Sequence, residues 1–124
     1  MPTSRSSKVK VPFTFTSDRN QKENFQRVEG EEVLSKMRRM PLTSWNYIGH
    51  DAKQFRHYGP TAQDFFDAFG HDGVGTIGTP TTITSGDLDG ILMIAAQALE
   101  KRAESGERGA KDEAGSSRAP DRQD

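Results

Sequence analysis

Apolar and polar positions first fall into step near the start of the chain. Val9, Val11, Phe13 and Phe15 are interleaved with Lys10, Pro12, Thr14 and Thr16, a period of two that predicts a strand with one buried face. Pro12 has no N–H to give, which confines such a strand to an edge or to its first residues. Ser17, Asp18, Arg19 and Asn20 break the alternation with side chains that favour turns and helix caps. Residues 22–28 are mixed and read as extended or irregular. Over residues 31–40 the period becomes helical. Val33, Leu34 and Met37 share a face, acids fill the first turn, and Arg38 and Arg39 occupy the last, as the helix dipole favours. Pro41 ends it.

Residues 43–48 have strand composition, with Trp45 and Tyr47 on one side, and residues 50–54 form a hydrophilic loop. A short helix is predicted from Pro60, where a missing N–H costs nothing, to a stop at Gly70. It turns Ala62, Phe65, Phe66 and Phe69 onto a common side. Five glycines and a run of threonines between Gly70 and Gly86 predict a loop, with a short strand over residues 81–84. The last helix is expected to start with Asp87 as its N-cap. Leu88, Ile91, Ile94 or Leu92, Ala95, Ala98 and Leu99 make its apolar stripe, and Met93 and Ala96 widen that stripe almost all round. Such a helix needs more than one neighbour.

The fold class expected is α+β, a small mixed subunit of short strands and about three helices. Residues 1–8 are a flexible lead-in, 9–102 the folded domain, and 103–124 a disordered tail with no apolar side chain larger than alanine. Apolar residues are only 31% of the 124. The core is therefore thin, and a thin core favours an oligomer.

A net charge of −1 supplies no global field for nucleic acid, and Arg5, Lys8 and Lys10 form only a weakly basic arm. No nucleic-acid partner is expected. The absence of cysteine excludes disulfides, thiol catalysis and thiolate metal sites. His50, His57 and His71 lack the spacing of metal ligands, so neither metal nor cofactor is expected. The glycines between 73 and 78 lack the Lys-Ser/Thr of a phosphate loop. The apolar run over residues 91–96 is too short to cross a membrane, and the N-terminus has charge without the hydrophobic stretch of a signal peptide.

Three wordings then stand out: Ser17-Asp18-Arg19-Asn20-Gln21-Lys22-Glu23-Asn24-Phe25, Trp45-Asn46-Tyr47, and His57-Tyr58-Gly59-Pro60-Thr61-Ala62-Gln63-Asp64-Phe65. With Gly90 and the run Ala95-Ala96-Gln97-Ala98-Leu99, their order and spacing resemble the C-terminal intramolecular chaperone domain of endosialidase-type phage tailspikes and tail fibres. That family of self-cleaving serine peptidases includes the myelin regulatory factors. The Gly-Pro-x-Ala-Gln-Asp-Phe core is the more specific part, and the likeness covers roughly residues 13–102. Asn20-Gln21 departs from the basic and aliphatic pair usual in the family.

The resemblance implies a domain that drives three chains to assemble and then cuts itself off. It makes Ser17 the nucleophile, Lys22 the general base and Thr16–Ser17 the scissile bond, with Asp18, Asn24, Trp45, His57, Gly59, Pro60, Gln63, Asp64 and Phe65 as motif residues. The implied partners are two further copies of the chain and a tail-fibre or tailspike client. The implied place is the cytoplasm during assembly, in a virion-associated or prophage-derived context. Sixteen residues before Ser17 leave no room for a client fibre within this sequence. The alternative of another class is a structural trimerisation module of a tail fibre that makes no cut.

The chemistry sets its own conditions. A serine hydroxyl attacks well only when a neighbouring base takes its proton, and a lysine does so only as the free amine. Five residues along a strand span about 17 Å, and on a helix five positions set the side chains roughly 140° apart. Ser17 and Lys22 therefore meet only if the chain turns between them or if the lysine comes from a partner chain. By residue type alone, a Ser-Asp pair after a strand is a turn or cap, His57 beside Gly59-Pro60 is a turn or interface hydrogen bonder, and Trp45 and the phenylalanines are core or interface.

Overall fold

The computed structural model describes residues 13–116, with side chains through residue 106. Chain order is a short 3-10 turn Arg19–Gln21, helix α1 Gly30–Arg39, strands β1 Thr43–Trp45 and β2 His57–Gly59, helix α2 Ala62–Phe69, and helix α3 Ser85–Ser116. Three α-helices and one two-stranded antiparallel sheet make it a small α+β fold.

The helices carry the core. Val33 of α1, Phe65 and Phe69 of α2, and Ala95 of α3 are buried together, with Leu34, Met37, Met40, Ile83, Leu88, Ile91 and Ile94 packed around them. Helix α1 lies along α3 at a close approach. A Cβ on Gly30 would come within 2.8 Å of the Ala98 Cβ, so the glycine lets the two backbones meet. At the rim Arg102 donates to both carboxylate oxygens of Glu31, the shorter bond at 2.6 Å. These bonds hold the Glu31 carboxyl below its ordinary range.

Helix α2 is set by both ends. Thr61 caps it, its hydroxyl accepting from the Asp64 N–H, so the helix begins just after Pro60 rather than on it. Gly70 closes it, because any Cβ there would run into the Phe66 carbonyl and ring. After α2, the Asp72 carboxylate accepts the Val74 and Gly75 N–H groups and folds the glycine-rich connector onto itself.

Several expectations change. Residues 13–16 of the anticipated N-terminal strand are exposed and belong to no strand, the β1–β2 sheet having only those two strands; residues 9–12 lie outside the described part. Residues 81–84 form no strand, only an isolated bridge between Thr79 and Thr82, whose hydroxyls meet at 2.6 Å. Helix α3 starts at Ser85, with the Thr84 carbonyl accepting from Asp87 and Leu88, so Asp87 sits in the first turn instead of capping it. The same helix runs on to Ser116. Strand β2 was not anticipated. It pairs with β1 in the register Thr43 to Gly59, Ser44 to Tyr58 and Trp45 to His57.

Candidate active site

The segment before α1 is exposed from residue 13 to residue 29, and its one fold-back is the 3-10 turn. Gln21 N–H donates to the Asp18 carbonyl at 3.0 Å and Lys22 N–H to the Arg19 carbonyl at 3.1 Å. The Asp18 side chain caps the turn by accepting the Asn20 N–H at 3.0 Å. A chain reversed over these residues returns Lys22 to Ser17, and Lys22 Nζ donates to Ser17 Oγ at 2.6 Å. Both groups belong to the same chain. The turn suffices to bring them together within one chain. At Lys22 the backbone is extended, and Asn24 adopts a left-handed φ of 55°.

The remaining motif residues gather elsewhere. Trp45 stacks near His57, with ring centroids 5.0 Å apart, and Tyr47 closes on both rings at 5.0 and 5.4 Å. The Trp45 indole N–H donates to the Gly59 carbonyl across the hairpin at 3.3 Å. Pro60 and Thr61 then lead into α2, where Asp64 serves the cap, Phe65 is core and Gln63 stays exposed. His50 and Phe55 extend the ring cluster, with centroids 6.1 Å apart. Among the described residues, no hydrogen bond or ring contact joins the Ser17–Lys22 pair to this hairpin cluster. Within one chain they are two separate units.

Arg56 escaped the sequence reading. Its guanidinium donates to Asn46 Oδ1 at 2.7 Å and to Ser44 Oγ at 3.0 Å, clasping the two arms of the hairpin. The signal available was a cation beside a run of polar and aromatic residues, which has no spacing rule of its own. A groove of about 500 Å³ is lined by residues including Val28, Val33, Phe69 and Ile94; neither Ser17 nor Lys22 lines it. Among the described residues there is no group of three or more His, Asp or Glu side chains placed to hold a metal ion. Among them, too, no helix is long and apolar enough to cross a membrane.

A small α+β chain here sets a lysine amine against a serine hydroxyl. Residues 17–73 match the family model of peptidase S74, described as chaperone of endosialidase, and the matched segment opens on Ser17. That segment belongs to the family. It takes in the dyad candidates, α1, the hairpin and α2; helix α3 lies beyond it. No curated protein matches the chain.

Proposed function

We infer that the chain is an intramolecular chaperone of the tail-fibre or tailspike type, which promotes homotrimer assembly and then releases itself by cutting at Thr16–Ser17. The observation that carries the reading is the 2.6 Å hydrogen bond between Lys22 Nζ and Ser17 Oγ, in a segment of the chaperone-of-endosialidase family. The client is a fibre chain, and the work is done in the cytoplasm before the fibre joins a virion.

In this reading Ser17 Oγ attacks the Thr16 carbonyl carbon while the neutral Lys22 amine takes the hydroxyl proton. The Thr16–Ser17 C–N bond breaks, and the departing Ser17 nitrogen takes that proton back from the ammonium. The product is an ester between the Thr16 carbonyl and Ser17 Oγ. Water hydrolyses it, leaving a Thr16 carboxylate and a new N-terminus at Ser17. Lys22 is exposed in the single chain. Burial at a subunit interface would favour its free amine, because desolvation disfavours a charge. The cut is thereby tied to assembly.

The exposure of Ser17 and Lys22 also supports the second reading, a trimerisation module with the same fold and no cut. Intact mass of the purified chain separates the two. Self-cleavage gives a chain starting at Ser17 in wild type, with Ser17→Ala and Lys22→Ala full length yet assembled. A wild-type trimer of full-length chains would leave the non-cleaving module. Cutting by Lys22→Ala at the wild-type rate would show that another group is the base.

A further inference from the structure

From residue 13 to residue 28 the chain is exposed, and among the described residues its hydrogen bonds stay within the segment. Tertiary packing therefore does not bring Ser17 to Lys22. A local device must. The 3-10 turn has two backbone hydrogen bonds, and a turn that short is weak by itself. The Asp18 carboxylate adds the third bond, from the Asn20 N–H, which otherwise has no partner in the turn. Without it the stretch relaxes toward extended chain, where residues five apart are separated by about 17 Å.

We propose that Asp18 is a positioning residue for the Ser17–Lys22 pair, and that it acts as an uncharged-equivalent cap rather than through its negative charge. The proposal rests on the reading of Ser17 and Lys22 as the cleaving dyad and assigns what holds that dyad together. Geometry favours the cap over a charge relay. Asp18 Oδ1 is turned to the Asn20 amide, and the bond of Lys22 Nζ goes to Ser17 Oγ. The dyad is accordingly preformed in the unassembled subunit. Assembly supplies dryness, not alignment.

Asparagine caps a helical turn about as well as aspartate, whereas alanine does not. Asp18→Asn should therefore cut at no less than half the wild-type rate. Asp18→Ala should be roughly 2- to 30-fold slower, the span that a lost cap represents. Both should fold as wild type does, since the residue lies outside the core, and the rates are compared on assembled fractions of equal size. A second measurement does not depend on cleavage. In the uncut Ser17→Ala background, nuclear Overhauser contacts between the methyl group at position 17 and the Lys22 ε-methylene should survive Asp18→Asn and weaken at least twofold in Asp18→Ala. Equal loss of cutting in Asp18→Asn and Asp18→Ala would overturn the proposal in favour of a role for the charge. An unchanged rate and unchanged contacts in Asp18→Ala would overturn it outright. If wild type makes no cut while the contacts follow the expected pattern, the peptidase reading fails and the cap assignment stands.

Discussion

At the scale of single residues, Ser17 and Lys22 are held together by their immediate neighbours in sequence. Lys22 reaches Ser17 through a 3-10 turn that spans three residues, and a fold-back over Asp18, Arg19 and Asn20 could be read from their turn-forming types alone. Lys22→Arg tests the identity of the base. A guanidinium keeps its proton and still reaches a hydroxyl, so the chain should assemble and remain full length by intact mass. Asn24 is the second local device. Its φ of 55° lies in the left-handed region, which glycine enters freely, asparagine readily, and alanine at a cost of roughly 1 kcal/mol or more. Asn24→Gly should thus leave the amide chemical shifts of residues 22, 23, 25 and 26 near wild type, and Asn24→Ala should displace them. Equal displacement in Asn24→Gly and Asn24→Ala would assign the residue's importance to its amide. The sequence gives no sign of that backbone angle, because Asn tolerates it without requiring it.

At the scale of elements, α1 and α2 were legible because amphipathic spacing, caps and a stop coincide in each, and both lie within two residues of where the pattern put them. Strand β2 was not. His57-Tyr58-Gly59 has no alternation to read, and it is a strand because β1 lies beside it, with Arg56 clasping the two arms. The interface of α1 with α3 turns on one missing methyl group. Gly30→Ala would press its Cβ against Ala98 at 2.8 Å, a misfit of the kind that costs about 1–3 kcal/mol. Adding Ala98→Gly should restore most of the loss, which urea unfolding of the single and double variants would measure. Phe65, buried between the helices, should cost roughly 3–5 kcal/mol as Phe65→Ala. The ion pair at the same rim has a pH signature. Hydrogen bonds from Arg102 lower the Glu31 carboxyl from its ordinary value, so folding favours the ionised form. Its contribution is complete above the unfolded value and is lost as pH falls through the lower folded one. The gap in melting temperature between wild type and Glu31→Gln should be widest near neutrality and close as acid is added.

At the scale of the whole molecule, the described chain buries Val33, Phe65, Phe69, Ala95 and Ala98, and leaves Phe13, Phe25, Ile48, Tyr58 and Met93 at least 70% exposed. An apolar surface so distributed marks an interaction site more readily than a finished monomer. Helix α3 states the problem most plainly. One side, with Ala95 and Ala98, meets α1 and α2; the other, with Leu92, Met93 and Leu99, meets solvent. Leu99 belongs to the apolar stripe of this helix, and a single chain leaves it 53% exposed. This gives a substitution whose two effects can be told apart. In an isolated subunit Leu99→Glu should change stability by only about 0.5 kcal/mol, as surface substitutions do. In a trimer closed by this face it would bury a carboxylate without a partner, at a cost of several kcal/mol. Light scattering at micromolar concentration should therefore give three chain masses for wild type and one for Leu99→Glu, with the helical circular dichroism of both alike. If assembly is what dries Lys22, the monomeric variant should also remain uncut in the same preparation. A wild-type monomer would remove the trimer. A Leu99→Glu chain that still forms trimers and cuts itself would place the interface on some other face of the molecule.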